Sequence, residues 1–147
     1  MDAYKMINDV LVHLFNEIWE LEEQAIITEE FKDISNNDMH IIEAIGLGDG
    51  GTMSVIAKKL NITAGSLTTS MNSLVNKKYV TRERSEQDRR VVYIRLLDKG
   101  VKAYRHHEDF HQQMTDAVIK NLKEEEVDVL VRTLGSLSDF FRDYGKE

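Results

Sequence analysis

The stretch Asn61 to Leu96 constrains the fold of this chain more than any other. It reads as a short helix followed by a two-stranded ribbon with the polar tip Ser85-Glu86-Gln87-Asp88-Arg89-Arg90. The arms, Tyr79 to Ser85 and Val91 to Leu96, are β-branched, aromatic and arginine-bearing. Between Lys58 and Arg95 nine Lys and Arg stand against Glu83, Glu86 and Asp88, a local charge of +6 in a chain that is −7 overall. A compact basic island on an otherwise acidic protein is the electrostatic footprint of a polyanion site, with duplex DNA the leading polyanion.

Ahead of the ribbon, Thr52 to Leu60 predicts a short helix with Val55, Ile56 and Leu60 inward. Asn61-Ile62-Thr63 is a turn, and Thr63 caps the helix that follows. Two short helices joined this tightly form a helix-turn-helix unit. Along the second, Leu67, Met71, Leu74 and Val75 recur at helical spacing and face a core. The other side carries Gly65, Ser66, Thr68, Thr69, Asn72, Ser73, Asn76 and Lys77. An ordinary solvated helix face is richer in Glu and Lys; this small, polar one can approach base edges and phosphates. Asn72 suits adenine in the major groove. Arg82 and Arg84 on the first arm are expected at phosphates. Arg89 and Arg90 suit a narrow minor groove, whose negative potential attracts arginine. Asp88 would repel phosphate, so its expected role is to hold a neighbouring arginine.

The chain ends read as packing arms. Ile7, Leu11, Leu14, Ile18, Leu21 and Ala25 form the seam of a long helix, and Val10, Phe15 and Trp19 widen it enough to suggest a dimer partner. Glu17, Glu20, Glu22 and Glu23 read as its solvated face. Ser35 with Asp38 marks the start of a second helix through Met39, Ile42 and Ile45. Gly46, Gly48, Gly50 and Gly51 then read as an inter-helix loop, since their spacing fits no nucleotide fingerprint. Beyond the ribbon, Asp98 is expected to cap a helix over about Lys99–Leu122. A last helix runs from Glu124 to Tyr144 with the seam Val127, Leu130, Leu134, Leu137, Phe141 and Tyr144.

The expected fold is therefore mainly α with a small β-wing. A winged helix-turn-helix over 35–97 lies between an N-terminal dimerisation helix (1–34) and C-terminal dimerisation helices (98–147). A two-fold homodimer implies a pseudo-palindromic operator, with half-sites roughly 34–36 Å apart. Zero cysteines exclude disulfides and thiol redox sensing. No apolar run reaches the ~20 residues of a membrane span, and a cytoplasmic protein is expected. No serine sits in a nucleophile-elbow context, so no catalytic residues are assigned.

The tip Asp88-Arg89-Arg90 and the following Leu96-Leu97-Asp98-Lys99-Gly100 resemble the winged helix-turn-helix of MarR-type bacterial regulators. Further matches are Phe31-Lys32-Asp33-Ile34-Ser35, Met39-His40, Thr68-Thr69-Ser70, Ser85 through Val92, and Phe110-His111. They point, within that family, to repressors of fatty-acid synthesis genes, and the resemblance covers nearly the whole chain. Where the family usually has Thr after the ribbon's last Leu, this chain has Leu97. The resemblance implies that Arg90 is the groove arginine and Arg89 a backbone contact. It also implies a corepressor, a long-chain acyl group on acyl carrier protein, that strengthens DNA binding. An acyl chain needs an apolar tunnel, expected among helices one, two and five near Phe15, Trp19, Ile41, Ile45, Phe110 and Met114.

Two alternatives stand beside this one. His107 and His111 are one helical turn apart, and zinc-sensing members of the family carry histidines there and at the position of His40; Glu20 or Glu23 could complete a tetrahedron. Hydrogen-bonded or exposed histidines are the more ordinary reading, so neither metal nor cofactor is expected. The alternative regulator would respond to zinc or a small ligand. The remote alternative is a helical dimer that binds proteins and not DNA.

Overall fold

The computed structural model describes residues 2–26, 28 and 30–145 of the chain. Its elements are α1 (Ala3–Ile26), α2 (Asn36–Ile45), β1 (Gly51–Thr52), α3 (Met53–Leu60), α4 (Ala64–Asn76), β2 (Val80–Arg84), β3 (Val92–Leu96), α5 (Asp98–Ile119) and α6 (Glu124–Tyr144). They fall into two compact units, Met1–Phe110 and His111–Glu147, and α5 contributes to both.

Local sequence explains the helix ends in the first unit. Ser35 Oγ accepts from the Asp38 backbone N–H at 3.1 Å, and Asp38 Oδ2 accepts from the Ser35 N–H at 3.1 Å, a reciprocal capping box. Gly46, at φ +72°, closes α2 in a conformation that costs glycine little. Thr52 caps α3 through the Val55 N–H, and Thr63 caps α4 through the Ser66 N–H at 3.1 Å. Between them Asn61 turns the chain in the left-handed region. α5 begins at Asp98 itself, which makes that residue the first of the helix and not the cap expected of it.

The core of this unit joins Met39, Ile41, Ile42 and Ile45 of α2 to Ile56 of α3 and to Leu67, Met71 and Leu74 of α4. Tyr79, Val80, Ile94 and Leu96 close it from the ribbon, and Phe31 and Ile34 from the loop before α2. Each such side chain contributes about 1.5–3 kcal/mol by leaving water. The inward side of α3 differs from expectation: Val55 is 49% exposed, and Ala57 is buried beside Ile56. An eight-residue helix has too few turns to reveal its phase, and burial of the small Ala57 brings α3 close to its neighbours.

The sheet has three antiparallel strands in the order β1-β3-β2. Val80 lies opposite Leu96 and Arg84 opposite Val92, while Gly51 and Thr52 pair with Ile94 and Tyr93. β1 falls inside the glycine cluster expected to be loop alone. Gly50 is needed there: its φ is +72°, and a Cβ would overlap the carbonyl of Ile94.

α1 leaves Ile7, Val10, Phe15, Trp19 and Leu21 more than half exposed, whereas Glu22, expected on a solvated face, is buried. In the second unit, α6 begins with Glu124, Glu125 and Glu126 at its positive end. None of its residues is buried: Val127, Leu130 and Leu137 are half-buried, and Leu134, Phe141 and Tyr144 are exposed. Among the described residues no helix is long and apolar enough to cross a membrane.

Candidate nucleic-acid interface

α4 buries Leu67, Met71 and Leu74 and thereby turns Ser66, Thr68, Thr69 and Asn72 to solvent, with Ser73 half-buried at the margin. Thr68 and Thr69 hydroxyls donate back to the carbonyls of Ala64 and Gly65, so they cover the helix face without projecting far from it. No carboxylate lies in the first turn, which leaves the positive end of α4 free of competing charge.

The ribbon supplies the cations. Arg82 on β2 donates through Nη1 to Asn72 Oδ1 at 2.6 Å, which links the ribbon to α4. Arg84 donates to the carbonyl of Arg89 and so ties the first arm to the tip. Asp88 holds Arg90 as expected: Oδ1 accepts from Nε and Oδ2 from Nη2, both at 3.1 Å, and Oδ1 also accepts from the Arg90 backbone N–H at 3.1 Å. These hydrogen bonds hold the Asp88 carboxyl below the usual carboxylate range and raise Arg90 above its ordinary value. The Arg90 side chain is nonetheless 90% exposed, so the carboxylate orients the guanidinium without burying it. Arg89 is exposed beside it.

Lys77 lies elsewhere than at the open face. Its Nζ donates to the backbone carbonyl of Asp33 in the loop between α1 and α2. Asp33 is the focus of a polar cluster that the sequence does not announce. Its Oδ1 accepts from the Tyr79 hydroxyl and its Oδ2 lies 3.3 Å from Lys99 Nζ. The same ammonium stands 4.4 Å over the Tyr79 ring. The Tyr79 hydrogen bond, assisted by Lys99, lowers the Asp33 pKa; burial and that same bond raise Tyr79 above the ordinary phenol range. Asp33 and Lys99 are visible in the sequence only as letters within family-like motifs, and nothing in their spacing marks a contact across 66 residues.

A second polar cluster joins α1, α2 and the part of α5 within the first unit. His107 Nε2 lies 3.4 Å from Glu22 and 3.3 Å from Glu43, and His40 lies 3.7 Å from each of the same carboxylates. His107 and Glu22 are buried. The partner carboxylates are thus Glu22 and Glu43, where Glu20 or Glu23 was expected. His40, Glu43 and His107 offer ligand atoms within 4.8 Å of one another. Of the expected ligand-binding residues in this unit, Ile41 and Ile45 are sealed in the core while Phe15 and Trp19 are more than half exposed; Trp19 stacks on His40 with ring centroids 6.5 Å apart. Phe110, and Met114 in the second unit, are half-buried.

A helix-turn-helix unit with a polar outward face, followed by an arginine-tipped ribbon, defines a winged helix-turn-helix DNA-binding protein. A MarR family profile matches residues 32–91. FabT of Streptococcus pneumoniae, solved in complex with DNA, is 41% identical, with a TM-score of 0.86 over 96% of this chain and 99% of that one. MepR of S. aureus, also solved with DNA, is 26% identical with a TM-score of 0.67 over 87% and 96% of the two chains. Among curated proteins, the uncharacterised HTH-type regulator YwhA of Bacillus subtilis is 25% identical over 94% of this chain and 99% of its own. The chain belongs to the MarR family: it is a DNA-binding transcriptional regulator and not an enzyme.

Proposed function

We propose that the protein is a cytoplasmic repressor of fatty-acid synthesis genes that binds a pseudo-palindromic operator as a homodimer. The observation that carries this is the 41% identity to FabT across 96% of the chain, more than to the MepR or YwhA relatives. In this reading α4 enters the major groove with Ser66, Thr68, Thr69, Asn72 and Ser73. Arg82 and Arg84 meet phosphates, and Arg90, braced by Asp88, enters the minor groove with Arg89 at the backbone. A second copy covers the exposed apolar side chains of α1 and α6. Long-chain acyl carrier protein is the corepressor, and the apolar residues of α1, α2 and α5 receive the acyl chain. The ligand then acts by binding the DNA-competent spacing of the two reading heads more tightly than other spacings. Operator affinity measured with and without long-chain acyl carrier protein tests this: affinity rises with the acylated carrier and is unmoved by the unacylated one. Equal affinity under both conditions overturns the corepressor.

A second reading draws on the cluster of His40, Glu43 and His107, with Glu22 beside it. Two imidazoles and a carboxylate within 4.8 Å suit zinc. Under this reading zinc, added to chelator-treated protein, changes operator affinity severalfold. An unchanged affinity removes it.

A further inference from the structure

The polar cluster around Asp33 links three parts of the reading head to one loop. Lys77 stands at the C-terminal end of α4, Tyr79 at the root of β2, and Lys99 in the first turn of α5; Asp33 lies between α1 and α2. Tyr79 is itself a junction. Its N–H donates to the Leu74 carbonyl of α4, and its carbonyl accepts from the Leu97 N–H. Gly100 lies so close to that carbonyl that a Cβ would overlap it. The Tyr79 ring is fully buried, with the hydroxyl left to find a polar partner, and Asp33 is that partner. Phe31 and Ile34, on either side of Asp33, are buried in the same core, so the loop itself is pinned.

We propose that Asp33 is a positioning residue for DNA recognition: it fixes the end of the reading helix and the root of the ribbon against the α1–α2 loop without touching DNA. Two consequences follow from its charge. Removing it leaves the buried Tyr79 hydroxyl with a weaker acceptor, which loosens the angle between α4 and β2. It also frees the Lys99 ammonium from its carboxylate partner and leaves one more uncompensated positive charge on the reading head, while Lys77 keeps its bond to the backbone carbonyl of residue 33. Sequence-specific binding depends on the first effect and non-specific binding on the second, so the two move in opposite directions.

This rests on reading α4 as the helix that meets DNA. The experiment uses the full chain, a duplex selected from random sequence by the wild-type protein, and a scrambled duplex of equal length, with affinities compared at one salt concentration. Asp33→Asn lowers affinity for the selected duplex about tenfold, the scale on which one charged hydrogen bond acts. Affinity for the scrambled duplex is unchanged or higher. Asp33→Glu, which keeps the charge, recovers part of the difference, and Tyr79→Phe lowers the specific affinity in the same sense. A merely structural role would lower binding to both duplexes together, by reducing the folded fraction, and that outcome overturns the proposal. So does a specificity ratio in Asp33→Asn within twofold of wild type. If the wild-type protein selects no sequence, the reading of α4 falls and the proposal falls with it; a wild-type ratio retained by Asp33→Asn sinks the positioning role alone.

Discussion

Arg82 donates to Asn72 Oδ1 across 2.6 Å. A guanidinium has no acceptor atom, so the amide oxygen is the atom that must face it, and Asn72 turns its Nδ2 donor away from the ribbon. Adenine recognition by asparagine needs both atoms, the oxygen accepting from N6 and the nitrogen donating to N7. With Arg82 on the oxygen, Asn72 is set to donate to an acceptor on the base edge. Arg82→Ala frees the oxygen and is expected to shift the selected operator toward adenine at the contacted position, by the ~1–3 kcal/mol of a bidentate pair. Selection from random duplexes by both proteins reads this directly; the same base preference in each would refute it.

Asp88 braces Arg90, although a carboxylate near DNA is repelled by phosphate. Simple charge counting therefore predicts tighter binding in Asp88→Ala. The geometry predicts the reverse, because Arg90 loses the two hydrogen bonds that aim it. Operator affinity should fall about three- to tenfold, with Arg90→Ala falling further, as titration by fluorescence anisotropy would show.

Lys77 and Arg84 separate by their salt dependence. Deleting a cation that neutralises one phosphate reduces the slope of log affinity against log salt by roughly 0.9. Arg84→Ala should show about one such step, because the bond to the Arg89 carbonyl uses Nη1 alone and leaves the other guanidinium N–H groups for a phosphate. Lys77→Ala should show none, since its ammonium is held by the Asp33 carbonyl. Equal slopes for the two variants would show that Lys77 leaves the loop to meet DNA.

The depressed pKa of Asp33 carries a pH dependence. Its folded-state value lies below the ordinary carboxylate value, so its contribution to stability is present above about pH 4. That contribution is lost as pH falls through the folded value. Asp33→Asn should accordingly lower stability at pH 7 and flatten the acid limb of the stability curve, converging with wild type at low pH. Denaturant titrations from pH 7 down to about pH 3 follow this; parallel curves for the two proteins would contradict it.

Gly100 tests the packing of the same junction. A methyl group there meets the Tyr79 carbonyl, a backbone atom that cannot rotate away, and the Leu96 side chain. Gly100→Ala should cost about 1–3 kcal/mol, seen as a lowered Tm. An unchanged Tm would mean that α5 can shift off the ribbon freely.

Most of the reading head was legible because its signals are local. Leu67, Met71 and Leu74 recur along a helix of 13 residues, long enough to fix which way α4 faces, and the capping pairs Ser35–Asp38 and Thr63–Ser66 mark where helices begin. The bond from Asp88 to Arg90 spans two residues and could be argued from charge alone. What escaped was either too short or too distant. β1 is two residues long and has no periodicity to read. The buried meeting of Glu22 with His107 and the contacts of Asp33 with Tyr79 and Lys99 join segments far apart in the chain. Glu22 looked solvated because its neighbours Glu20 and Glu23 are exposed; the burial of one glutamate among several is decided by what packs on it.

The short strand β1 has an effect beyond its two residues. It runs straight into α3 and pairs with β3, so the ribbon is stapled to the start of the helix-turn-helix as well as to its end. Tip and helix therefore tilt together as one lever. A base change that alters the fit in one groove will be felt in the other, and operator substitutions at the two places should combine non-additively even where no side chain spans them.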